Sequence, residues 1–169
     1  MPPPAKLLGL DVGEATIGIA ISDNLGITAQ GLTTRKRRGL QADLRFLQQL
    51  VHEHNVAAIV VGLPRRLDGS LGPEAQRVLE FVSHLRQALS LPVYTWDERL
   101  TTRAAERILL EGNLRRAKRK QVIDKIAAQL ILQGYLDRQR SRQHSSTQDA
   151  PEGKGGEEDI RSPGSNQGM

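Results

Sequence analysis

The stretch VAAIVVGLP, residues 56–64, restricts this chain more than any other. It is a continuous apolar run, closed by Gly62 and Pro64 after about one strand length. A strand apolar on both sides must be covered on both faces, so it predicts a central strand between helical layers. The helices are legible on either side of it. Leu40, Leu44, Leu47 and Val51 recur at helical spacing and predict a helix from about Leu40 to His54. Pro73 opens a second, whose Ala75, Val78, Leu79, Val82, Leu85 and Leu89 share one stripe.

The flanking segments complete the order. KLLGLDVG and TIGIAISD, separated by the turn Gly13–Ala15, predict an antiparallel hairpin, and ITAQGLTT a third strand. Pro92 precedes a short strand, VYTW; Thr101 or Thr102 caps a third helix ending near Gly112. A basic loop then leads into VIDKIAAQLIL, residues 122–132, a last helix buried on one side. The order β-β-β-α-β-α-β-α-α implies an α/β fold, a mixed five-stranded sheet flanked by helices on both faces. No G-x-G-x-x-G follows the first strand, so a dinucleotide-binding fold is not indicated. The folded unit is expected over residues 5–137. Residues 138–169 hold only three apolar side chains, Ala150, Ile160 and Met169, and are expected to form a disordered polar tail.

Composition removes several function classes. Cysteine is absent, which excludes disulfides, thiolate metal sites and cysteine nucleophiles. No apolar run approaches the ~20 residues that span a bilayer, and the N-terminus lacks a secretory pattern; cytoplasm is the expected compartment. His52, His54, His84 and His144 have no ligand-like spacing, and Ser22 and Ser70 lack a histidine partner for nucleophilic catalysis. With two Phe, two Tyr and one Trp, the chain lacks the stacking surface of a single-strand reader, and Trp96 is expected in the core. The net charge of +5 lies wholly before residue 138, because the tail is neutral. Clusters at Arg35-Lys36-Arg37-Arg38, Arg65-Arg66, Arg115-Arg116 and Lys118-Arg119-Lys120 favour a polyanion such as nucleic acid.

Three acidic positions then stand out. Asp11 shares a strand face with Leu7 and Gly9, and Gly9 and Gly18 are expected to leave space for a ligand beside it. Asp97 and Glu98 end the strand VYTW on successive positions, so only one of them points into a given site. Asp124 lies on the apolar stripe of the last helix, with Ala127, Ala128, Ile131 and Tyr135, where a lone buried charge is costly. Two of them have an ordinary structural reading taken alone, a turn for Asp11 and a helix cap or a salt bridge to Arg99 for the Asp97-Glu98 pair, whereas Asp124 is the hardest to explain structurally. Gathered together they would repel one another unless a cation joined them. Oxygen-only ligands suit Mg²⁺ or Mn²⁺, and two such ions promote phosphodiester cleavage. The polar loop PRRLDGS would set Arg65 and Arg66 on phosphates.

Four motifs, LLGLDVGEATIGIAISD, IVVGLPRRLDGSLGP, TWDERLTTRAAE and VIDKIAAQLILQGYLD, together resemble the YqgF family of bacterial RuvC-like nucleases, which are associated with the 5′ end of pre-16S ribosomal RNA. They cover nearly all of residues 7–137. The resemblance implies an RNase H-like fold, a divalent-metal endonuclease, and Asp11, Glu98 and Asp124 as metal ligands, choosing Glu98 over Asp97. It gives Asp97 and Arg99 supporting roles, with Arg99 on phosphate. Two departures accompany it. Glu14-Ala15-Thr16 stands where many members are basic, and Gly62-Leu63-Pro64 stands where related junction resolvases carry a glutamate. The expected partner is structured RNA, a ribosomal precursor, bound by a monomer or homodimer. Branched DNA, cut as by a junction resolvase, is the first alternative; a non-catalytic nucleic-acid-binding assembly factor is the second.

Overall fold

The computed structural model describes residues 5–100 and 123–143, and the chain divides into two compact units, Met1–Leu136 and Asp137–Met169. The predicted third helix and the basic segment at residues 115–120 lie outside the described residues, as does the chain beyond residue 143.

The hairpin forms as its alternation requires. Strand β1 (Lys6–Val12) pairs antiparallel with β2 (Thr16–Ser22), setting Leu10 opposite Ile19 and Asp11 opposite Gly18. The Gly13 N–H donates to the Thr16 carbonyl at 2.8 Å and closes the turn. Strand β3 (Ala29–Lys36) continues the antiparallel ladder. Helix α1 (Leu40–Glu53) then carries the chain to β4 (Val56–Leu63), parallel to β1. Helix α2 (Pro73–Ala88) returns it to β5 (Val93–Asp97), parallel to β4. The sheet order is β3-β2-β1-β4-β5. Three parallel strands, β1, β4 and β5, therefore end on the same side of the molecule.

One sheet face is thick. Leu8, Leu10, Ile17, Ile19, Ile59, Val61 and Leu63 pack with Leu44 and Leu47 of α1 and Val78, Phe81, Val82 and Leu85 of α2. Each such side chain contributes about 1.5–3 kcal/mol on burial. A one-residue slip of β4 would turn Ile59, Val61 and Leu63 away from that core, so the register is strongly held.

The other face is thin, because small residues line it. Helix α3, residues 123–143, lays Ala128, Ile131, Leu132 and Leu136 on Ala20, Ala29 and Val60. A Cβ on Gly18 would collide with the Asp124 carbonyl, and one on Gly9 would stand 2.7 Å from the Leu132 Cβ. The space that the sequence assigns to a ligand is thus filled by a helix: these glycines admit α3 to the sheet, where about 1–3 kcal/mol is the usual cost of overpacking. Residues 123–136 of α3 belong to the first unit. Residues 137–143 are helical in the second, with Arg140 paired to Asp137 at 2.6 Å, so helix extends six residues past the boundary expected from composition. Trp96 is half-buried and meets Tyr135 edge-on at 6.5 Å.

Candidate active site

A cleft of about 420 Å³ opens where β1, β4 and β5 end, the place where open α/β sheets bind ligands. Asp11, Glu98 and Asp124 all line it, together with Gly13 of the turn, Thr16 at the start of β2 and Arg37. Three elements far apart in sequence deliver the three acids. Asp11 is the penultimate residue of β1 and faces the thin side of the sheet, opposite Gly18. Asp124 enters over that same glycine, near the start of the described part of α3. Its Oδ2 accepts a 2.6 Å hydrogen bond from the Thr16 hydroxyl.

Glu98 arrives by a route strand alternation does not describe. Strand β5 stops at Asp97, and Glu98 opens the short 3-10 turn Glu98–Leu100. Its side chain lies over Gly62 of β4: a Cβ there would stand 3.0 Å from the Glu98 Cγ and 3.1 Å from its carboxyl carbon. Glu98 thus occupies the space beside the end of β4 that a side chain at position 62 would need. Asp97 and Glu98 separate because the backbone changes conformation between them, rather than because they alternate along a strand.

The electrostatics of the cleft are unlike those of ordinary surface acids. Burial, then the charge of Asp124, raises the Asp11 pKa to about 6, against a hydrogen bond with Glu98 that lowers it. Burial, then Asp11 by charge and hydrogen bond, raises Glu98 to about 7, with Glu74 and Asp97 adding repulsion. Two carboxyls hydrogen-bonded to each other require one proton between them. A hard divalent cation is the natural substitute for that proton, since the donors are carboxylate oxygens alone and the groups that shift Glu98 are acidic. The acids therefore fit such an ion in charge and donor type. As the side chains stand, no group of three His, Cys, Asp or Glu among the described residues forms a ready-made cage.

The other expected site residues fall elsewhere. Arg99 is bound to Asp97 rather than directed into the cleft: its Nη2 lies 2.7 Å from Oδ2, and its Nε 3.1 Å from both carboxylate oxygens. The Arg99 guanidinium, against a desolvation penalty, holds Asp97 below its ordinary pKa. Arg99 Nη1 also reaches the Leu67 carbonyl at 3.4 Å, and Arg65 approaches Asp97 at 3.9 Å. Asp97 is therefore the anchor of the loop between β4 and α2. Arg65 and Arg66 do not line the acidic cleft; they line an adjoining one of about 390 Å³, and both clefts share Pro64, Glu74 and Arg77.

Sequence reasoning missed Thr16 and singled out Arg37 only as part of a basic run. A threonine opening a strand carries no signal of its own; its role depends on a helix more than a hundred residues away.

A mixed sheet of this order, with acids gathered where its parallel strands end, defines an RNase H-like protein of the nuclease type. A family model described as "RuvX: Holliday junction resolvase" matches residues 5–138. A relative from Moorella thermoacetica is 59% identical over 133 residues, 79% of this chain and 95% of its own. One from Thermoanaerobacter pseudethanolicus is 53% identical over 138 residues, 81% and 99% of the two chains. Both carry the description "putative pre-16S rRNA nuclease". The Thermus thermophilus RuvC structure shares the fold with a TM-score of 0.51 at 13% identity, over 80% of this chain and 96% of that one. This chain belongs to the RuvX family, and with it to the hydrolases that cleave phosphodiester bonds. No described helix is long and apolar enough to cross a membrane.

Proposed function

We propose that this protein is a divalent-metal-dependent endonuclease that cuts the precursor of 16S ribosomal RNA, with Asp11, Glu98 and Asp124 holding the ion. The observation that carries the reading is the convergence of acids from β1, the turn after β5, and α3 on one cleft, two of them raised toward neutral pKa. Mg²⁺ or Mn²⁺ bound there would supply charge neutralisation at the phosphate and an activated water. The chain's own residues set the stage for that chemistry. Asp11 is fixed by the β1–β2 ladder, Asp124 is oriented by the Thr16 hydroxyl, and Glu98 is confined between Gly62 and Asp11. Arg65 and Arg66 in the adjoining cleft suit the flanking backbone phosphates.

The test is cleavage of a precursor RNA carrying the 16S 5′ end by the full chain, with Mg²⁺, with Mn²⁺ and with chelator. Cleavage that needs a divalent ion and disappears in Asp11→Asn and Glu98→Gln supports the reading. Undiminished cleavage by Asp11→Asn sinks it. The description of the family model favours a second substrate, branched DNA, which belongs in the same assay. Preferential cutting of a four-way junction would transfer the site to that substrate.

A further inference from the structure

Arg37 stands at the wall of the acidic cleft, just beyond the end of β3, and its surroundings hold it there from behind. Its Nε lies 3.1 Å from Oδ2 of Asp43, whose side chain is fully buried and does not line the cleft. Its Nη1 donates to the Gly13 carbonyl at 3.1 Å, and its backbone N–H donates to the Ala15 carbonyl at 2.9 Å. The guanidinium also sits 5.1 Å over the Phe81 ring. Three side-chain contacts and one backbone hydrogen bond thus fix Arg37 against the turn that borders the three acids.

The charge balance around Asp43 is as telling as the geometry. Its other oxygen is taken by Arg35 Nε at 3.2 Å and by the Arg38 backbone N–H at 3.0 Å. One carboxylate is shared by two guanidiniums, so the cluster keeps an excess positive charge. Arg77, the other arginine among the described residues that line the cleft, approaches Glu14 at 3.7 Å. A polyanion entering a cleft lined by Asp11, Glu14, Glu74, Glu98 and Asp124 meets strong repulsion. A pre-oriented planar guanidinium at its wall is a strong counterweight, since it matches phosphate oxygens in pairs at low ordering cost.

We propose that Arg37 contacts a backbone phosphate of the nucleic-acid strand lying in the cleft, and that Asp43 is the positioning residue that aims it. This rests on the reading of the cleft as a nuclease site, and it adds a binding residue outside the acidic set. The rival account makes Arg37 a purely structural clamp on the Gly13–Ala15 turn. Arg37→Gln separates the two: its amide, near the place of the Arg37 Nε, keeps a donor for Asp43 and removes the charge.

The experiment measures binding of a fluorescent RNA hairpin to the full chain across a salt series, in EDTA and in Ca²⁺, with cleavage and thermal melting followed separately. Arg37→Gln is expected to weaken binding about tenfold and to lower the slope of log K against log salt by about one, because one phosphate is no longer neutralised. Arg37→Lys should keep the slope and recover part of the affinity, while Asp43→Asn should lose affinity with the slope retained. A wild-type slope in Arg37→Gln overturns the assignment, even where the wild type cleaves and the nuclease reading stands. A reduced slope in a protein that cuts no substrate supports Arg37 and sinks the nuclease reading instead. Absence of RNA binding by the wild type in both conditions overturns the proposal.

Discussion

Asp43 and Glu98 are both sheltered carboxylates beside the same sheet, and their surroundings treat them in opposite ways. Burial alone would raise the Asp43 pKa, but the Arg38 N–H and the guanidiniums of Arg37 and Arg35 outweigh it and hold it below the ordinary value. Glu98 faces Asp11, Glu74 and Asp97, and burial and repulsion together raise it to about 7. The first arrangement stabilises the fold; the second costs stability in the ion-free protein, which marks a candidate functional site. Neighbouring charge gives these two sheltered acids pKa shifts of opposite sign.

Variants that break this contrast should act with opposite signs. The largest effect is expected from Glu98→Gln: cleavage should fall about 10³-fold or more, roughly 4 kcal/mol of transition-state stabilisation. Its melting temperature in chelator at pH 8 should hold or rise, because a repelling charge has gone. Next comes Asp43→Asn, which strands two guanidiniums and should cost about 3–5 kcal/mol in denaturant unfolding. A melt equal to wild type would deny the cluster its structural role. Gly18→Ala should cost about 1–3 kcal/mol by pushing on the Asp124 carbonyl, and should reduce cleavage although no acid is altered. The smallest change is expected from Asp97→Asn. Its pairs with Arg99 and Arg65 are partly exposed, worth about 0.2–1 kcal/mol each, so stability should barely move while affinity for RNA falls through loosening of the loop that carries Arg65 and Arg66.

The pH dependence sharpens the same comparison. Asp11 and Glu98 have folded pKa values of about 6 and 7, above their ordinary 3.8 and 4.5. The folded state therefore holds protons more tightly than the unfolded one, and their contribution is present at low pH and lost as pH rises from about 4 to about 7. Asp43 has the opposite sign: its contribution is present above the unfolded value and lost as pH falls through its lowered folded pKa. Denaturant unfolding in chelator between pH 4 and 8 should show stability declining with pH. Glu98→Gln should flatten that decline. A divalent ion at a hundredfold its dissociation constant should restore about 2.7 kcal/mol at the upper end.

Elements whose pattern is local were readable from residue order. The two-sided apolar run of β4, the hairpin around Gly13 and the stripes of α1 and α2 all stand where their spacing predicts, because periodicity and turn chemistry act over a few residues. The three acids that line the cleft also stand out in the sequence, since carboxylates on apolar stripes and at strand ends are conspicuous, and the family resemblance selects Glu98. The resemblance implies a phosphate contact for Arg99, whereas the salt bridge to the Asp97-Glu98 pair that the residues themselves offer is the one formed, to Asp97.

Residue order by itself determined an α/β chain whose central strand needs cover on both faces, and it marked which acids were out of place. Only the tertiary structure decided what surrounds them: that Gly9 and Gly18 admit a helix rather than a ligand, that Glu98 lies over Gly62, that Thr16 holds Asp124, and that Asp43 pairs with Arg37. The division has one physical cause. Periodicity and turn preference are written in neighbouring residues, whereas charge repulsion, close approach and desolvation depend on distances between residues that only the packed sheet brings together.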